Sequence, residues 1–78
     1  MKVLLYTSGC PQCRNLEKKL KEKNIEIIEH NIVDSEDDLN YIMDKGFNHA
    51  PVIELENGDM MKYADALKWI GGIWYARL

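Results

Sequence analysis

The chain carries two cysteines, Cys10 and Cys13, with only Pro11 and Gln12 between them. That spacing decides how the fold is held together. A disulfide stabilises chiefly by closing a loop in the unfolded chain, and the benefit shrinks with the logarithm of loop length. A bridge over two residues constrains almost nothing, so the chain must fold on apolar burial alone. For 78 residues that is demanding, because a domain of this size buries only about 60–65% of the surface its unfolded chain exposes. The composition meets the demand with 46% hydrophobic residues, two Trp, four Tyr and one Phe, against five Gly and two Pro. It excludes a disordered tail, a collagen-like repeat and a disulfide-dense mini-protein. Residues 1–78 read as a single domain.

A net charge of -3 and a pI near 5.3 oppose a nucleic-acid footprint, which needs a basic face. Lys18, Lys19, Lys21 and Lys23 are interleaved with Glu17 and Glu22, the pattern of a solvated helix face rather than a phosphate patch. No stretch approaches the ~18–20 apolar residues of a membrane span, and the apolar run at the start is too short for a secretory signal. The expected setting is a reducing cytoplasm, where cysteine pairs are catalytic or metal-binding.

The hydrophobic pattern predicts the order βαβαββα. Lys2 to Thr7 reads as a buried strand, broken at Ser8-Gly9. Pro11 suits the first helical position, Leu16 and Leu20 mark the inward face, and Asn24 ends the helix. Ile25 to Ile32 mixes β-branched residues with charges, as an edge strand does. Ser35 and Asp38 resemble a capping box for a second helix carrying Leu39, Ile42 and Met43, which Gly46 stops. The acids Asp34, Glu36, Asp37 and Asp38 favour the positive end of that helix dipole and read as capping, not as a metal site. Val52 to Glu56 and Asp59 to Tyr63 flank Asn57-Gly58, a strong hairpin signal. Asp65 is placed to cap a last helix carrying Leu67, Ile70, Ile73 and Trp74, which Gly71-Gly72 weakens or ends.

This pattern sets Cys10 at the N-cap of the first helix and Cys13 one turn in. Only ~3% of a free thiol of pKa ~8.5 is thiolate at pH 7, and the thiolate is the nucleophile. The helix dipole, worth ~0.3–1 kcal/mol and at best ~2, could by itself lower Cys10 by roughly one pKa unit. Hydrogen bonds from backbone N–H groups and the Cys13 thiol would have to supply any larger shift. Cys13 is expected to be less exposed and of higher pKa. Such a pair suits two-step exchange, in which Cys10 attacks a disulfide and Cys13 resolves the mixed disulfide. Zinc is the competing use of the thiols. His30 and His49 are the available further ligands, but their separation does not match a compact finger and a second cysteine pair is absent. No metal is assigned.

Cys10-Pro11-Gln12-Cys13 after an apolar strand, with Ala50-Pro51-Val52-Ile53 opening the third strand, resembles glutaredoxin within the thioredoxin fold. The resemblance spans nearly the whole chain. It implies an α/β, thioredoxin-like domain with a four-stranded mixed sheet flanked by three helices. It also implies a thiol–disulfide oxidoreductase with Cys10 and Cys13 catalytic, no tightly bound cofactor and glutathione as co-substrate. Pro51 is then cis and lies beside Cys10, and the Ala50 backbone pairs with the substrate chain. Asp65 aligns with the aspartate that caps the last helix and holds the glutamyl end of glutathione. Gln12, Ala64 and Lys62 complete the implied substrate groove.

Three departures bear on the electron source. Thr7 stands where the family usually has a basic residue, Gln12 where it has a tyrosine, and Met61-Lys62 where it has a Gly-Gly pair. Lys62 can replace some of the missing positive charge. The Cys-x-Gln-Cys form and Lys45-Gly46-Phe47 are similar to the redoxins that serve ribonucleotide reductase and are recharged by thioredoxin reductase. The implied partners are a disulfide-containing protein and either glutathione or thioredoxin reductase, with the chain a monomer and neither nucleic acid nor membrane involved. An iron–sulfur carrier held through Cys10 and external thiols is an alternative that Pro11 and the second cysteine disfavour. A pure contact module, with Trp69 and Trp74 exposed together, is a third.

Overall fold

β1 (Lys2–Thr7) is the strand around which the rest is arranged. In the computed structural model, which describes residues 1–72, it pairs in parallel with β2 (Glu26–Asn31) and antiparallel with β3 (Val52–Glu54). β3 pairs antiparallel with β4 (Met60–Lys62), so the described residues form one four-stranded mixed sheet in the order β2-β1-β3-β4. Three helices accompany it: α1 (Pro11–Glu22), α2 (Glu36–Asp44) and α3 (Tyr63–Gly71). The expected βαβαββα order holds, and β2 lies at the sheet edge as its interleaved charges require.

Being interior, β1 is covered on both faces, which is why it reads as an unbroken apolar run. Val3 and Leu5 join Leu16 and Leu20 of α1, Ile53, and Ala66 and Ile70 of α3 in the larger core. Tyr6 turns to the other face with Val52 and Ile42 of α2, where Leu4, Leu39, Phe47 and Met60 pack around them. Trp69 packs half-buried against the larger core; Ile73 and Trp74 lie outside the described residues.

Local chemistry sets the element ends. Asn24 takes the left-handed φ of 58°, and its N–H and that of Ile25 return to the carbonyls of Lys21 and Leu20 at 3.0 Å each. This is a Schellman stop with Asn in the position glycine usually holds. Ser35 Oγ accepts the Asp38 N–H at 3.3 Å, the first half of a capping box. The second half is replaced: the Asp38 carboxylate meets His30 Nδ1 at 3.2 Å, while the Ser35 N–H donates to the Asn31 carbonyl.

Three expectations are corrected. Met43 faces solvent, 51% exposed, because α2 rests on the sheet through Leu39 and Ile42, with Phe47 completing that contact from beyond the helix end. The hairpin strands are shorter than expected. Gly58 N–H closes a turn onto the Leu55 carbonyl at 2.9 Å and Gly58 itself has φ 95°, so Leu55 to Asp59 is spent on the turn. β4 then runs straight into α3, whose N-cap is Lys62 with no side-chain cap. Asp65 is therefore a first-turn acid of α3, not its cap; it still sits at the favourable end of the dipole.

Candidate active site

One end of the sheet gathers the chemistry. In the strand register Thr7 lies opposite Asn31, Tyr6 opposite Val52, and Val52 opposite Lys62. The Ser8–Cys10 turn leaves β1 at that end, Ala50-Pro51 enters β3 there, and β4 passes there into α3. Asn15 of α1 donates to the Tyr63 hydroxyl at 2.8 Å, tying the starts of α1 and α3 together.

Gly9 makes the approach to the dithiol possible. Its φ of 77° is a left-handed conformation that residues with a Cβ adopt only under strain, and its N–H is held by Thr7 Oγ1 at 3.0 Å. The chain then reaches Cys10 in extended conformation, φ -73° and ψ 164°, and Pro11 starts the helix. Cys10 is the N-cap, so its sulfur takes the place of the usual cap oxygen and accepts the Cys13 N–H at 3.2 Å. The two sulfurs lie 2.7 Å apart. Cys10 is partly exposed and Cys13 is buried. Cys10 is thus the more accessible of the two sulfurs.

The Cys13 sulfur is subject to opposed influences. Burial pushes its thiol up, but hydrogen bonds from the Cys10 side chain, the Thr7 hydroxyl, the Ser8 N–H and the Cys10 backbone outweigh this and hold it below the ordinary value. The sequence reading missed Thr7 and Ser8 because it treated Thr7 only as a lost basic residue. Thr7 is in fact a buried polar residue at the end of β1, its hydroxyl oxygen accepting the Gly9 N–H.

The remaining candidates are distributed as follows. The Ala50–Pro51 peptide is cis, as the resemblance implies, with Pro51 buried and Ala50 half-buried. Gln12 is exposed in the first turn of α1, and Lys62, Ala64 and Asp65 are exposed where β4 meets α3. All lie at the dithiol end of the sheet. Arg14 acts on Glu17, one turn further along α1. His30 bonds to Asp38 and stacks on Tyr6 with ring centroids 5.3 Å apart, and His49 bonds to Asn48. Among the described residues no group of three or more His, Cys, Asp or Glu side chains is placed to hold a metal ion, and no helix is long and apolar enough to cross a membrane.

The sheet order, the cis-proline entry to β3 and the dithiol at the start of α1 define the thioredoxin-like class. The family model described as Glutaredoxin matches residues 3–61, well over half the chain, and the chain belongs to the glutaredoxin family. It is accordingly of the thiol–disulfide oxidoreductase kind. The match ends before Lys62, Ala64 and Asp65. No individual curated protein matches the chain.

Proposed function

We propose that this protein is a small cytoplasmic dithiol electron carrier that reduces protein disulfides and glutathione mixed disulfides. The observation that carries the proposal is the asymmetric pair: a partly exposed Cys10 sulfur at a helix N-terminus, 2.7 Å from a buried Cys13 sulfur. The Cys10 thiolate attacks one sulfur of the substrate disulfide and expels the other as a thiolate, which solvent protonates. The Cys13 thiolate then attacks Cys10, releases the second substrate thiol and leaves a Cys10–Cys13 disulfide, so two electrons pass to the substrate. The resolving step needs proximity rather than strain, and a separation of two residues supplies it.

In this reading the Ala50 backbone aligns the substrate chain, and Pro51, with no N–H and no reactive group, shields the dithiol. Lys62 and the start of α3 receive the carboxylate ends of glutathione, with Gln12, Ala64 and Asp65 bordering the same groove. One observation favours a second electron source. Thr7, standing where a base is usual, is buried and bonded internally, so it offers glutathione no charge. Thioredoxin reductase is the alternative donor.

A coupled NADPH-consumption assay on one disulfide substrate tests the proposal. One arm supplies glutathione with glutathione reductase, and the other supplies thioredoxin reductase. Consumption in the first arm supports the glutathione reading; consumption in the second alone transfers the protein to the redoxin reading. Silence in both arms overturns the electron-carrier proposal.

A further inference from the structure

β2 is an edge of the sheet, and its hydrogen bonds show which backbone groups are left over. The Glu26 N–H meets the Met1 carbonyl at 3.1 Å and the Ile32 N–H meets the Thr7 carbonyl at 2.9 Å. Even-numbered residues of β2 therefore direct their backbone groups to β1, and Ile27, Glu29 and Asn31 direct theirs outward. At one end the Asn31 carbonyl is taken by the Ser35 N–H at 3.1 Å; at the other the Ile25 N–H is taken by the Leu20 carbonyl at 3.0 Å. Among the described residues no turn, loop or cap bond uses the backbone of Ile27 or Glu29. Their N–H and C=O groups line the middle of the edge, a template for pairing with another strand.

We propose that this edge is a self-recognition surface, on which a second copy of the chain pairs antiparallel about a two-fold axis through Ile28 and joins two four-stranded sheets into one. A two-fold contact must match the edge to itself, and the residues allow one register. With Ile28 opposite Ile28, Ile27 of each copy faces Glu29 of the other, and the pairs exchange all their outward N–H and C=O groups. Ile28, 37% exposed, then meets its own copy in the closer, non-hydrogen-bonded position, and Glu26 faces His30 rather than another acid. Sliding the register two residues one way calls on the Ile25 N–H, which Leu20 already holds. Sliding it two residues the other way calls on the Asn31 carbonyl, which Ser35 holds, and sets Glu29 against Glu29.

The pairing leaves the dithiol free. Asn31 lies opposite Thr7 at the dithiol end of β2, so antiparallel pairing sends the two dithiols to opposite ends of the joint sheet. The inference does not rest on the dithiol reading, and it departs from the monomer that the resemblance implies. A single strand edge buries less than the ~1,200–2,000 Å² of a stable interface. Glu29 of the two copies also lie diagonally across the pair, roughly 7–8 Å apart, a repulsion that salt screens. The dimer is therefore weak and forms at high protein concentration.

Sedimentation velocity of the full chain in moderate salt, over a concentration series reaching the millimolar range, tests the proposal. Wild type should show a concentration-dependent monomer–dimer equilibrium. Because residue 28 meets itself, Ile28→Lys and Ile28→Glu should each weaken association about fivefold, and an equimolar mixture of the two should restore it through a mixed dimer. Ile28 belongs to neither core cluster, so both variants keep the fold, which their urea midpoints check. Glu29→Pro removes an outward N–H without touching the ladder to β1 and should abolish the dimer. A wild-type chain that stays monomeric throughout the series overturns the proposal. So does a dimer that withstands Glu29→Pro, or a mixture of the two charged variants that associates no better than either alone.

Discussion

At the residue scale the site depends on positions that contribute little bulk. Gly9 has open space where a Cβ would stand, with nothing within 4 Å, so its substitution is opposed by backbone conformation alone. Gly9→Ala should cost about 1–2 kcal/mol, read as a lower urea midpoint, while an unchanged midpoint would mean that the turn relaxes freely. Tyr6 carries a different kind of strain. Burial and the Glu54 carboxylate, which accepts its hydroxyl proton at 3.0 Å, push the Tyr6 pKa well above the ordinary tyrosine value. A raised folded pKa means a contribution that is complete below pH ~10 and lost as pH rises from there through the folded value. Wild type should therefore lose more stability between pH 9 and 11 than Tyr6→Phe does. Equal losses would contradict this role for the Tyr6–Glu54 bond.

At the element scale, α1 meets β2 through a pair of like charges. The hydrogen-bonded Glu29 carboxyl, burial and the Glu29 charge raise the Glu17 pKa, opposed more weakly by Lys21 and Arg14. Ionised Glu17 is thus disfavoured in the fold, so its contribution is best at low pH and worsens as pH rises through the folded value. Glu17→Gln, which resembles the protonated acid, should raise the urea midpoint at pH 7 by the equivalent of roughly 0.5 kcal/mol, as befits a partly exposed site. The gain should shrink by pH 4; a lower midpoint at pH 7 would contradict the repulsion. This contact also shows where sequence reading stops. β1, α1 and the Asn24 stop were legible because each depends on neighbours within five residues. Tyr6 and Glu54 are 48 residues apart, and Glu54 also takes the Tyr41 hydroxyl of α2, a pairing with no local signature. Met43 was assigned to the wrong face of α2 and Asp65 lies three residues past the Lys62 cap of α3, differences that periodicity alone does not resolve when a helix has nine residues. The cysteines and cis Pro51 were readable from spacing and resemblance, whereas Ser8 became readable only once the hydrogen-bond partners of the Cys13 sulfur were known.

At the scale of the whole molecule, redox state and stability are linked through the dithiol. The Cys13 thiol is held below its ordinary pKa despite burial, so the reduced fold is stabilised by ionising. That contribution is complete above the ordinary thiol value of ~8.5 and is lost as pH falls through the lower folded value. The stability of the reduced form relative to the oxidised form should therefore rise from pH 5 to pH 8.5. Denaturant midpoints of the two forms check this, and a difference that shrinks with rising pH would contradict it. The central claim is that Cys10 enters and Cys13 resolves. Its most direct measurement is the mass of the Cys13→Ser chain after mixing with glutathione disulfide, compared with Cys10→Ser. The account predicts a stable adduct on Cys10 in Cys13→Ser and neither adduct nor turnover in Cys10→Ser. Full turnover by Cys10→Ser would contradict it.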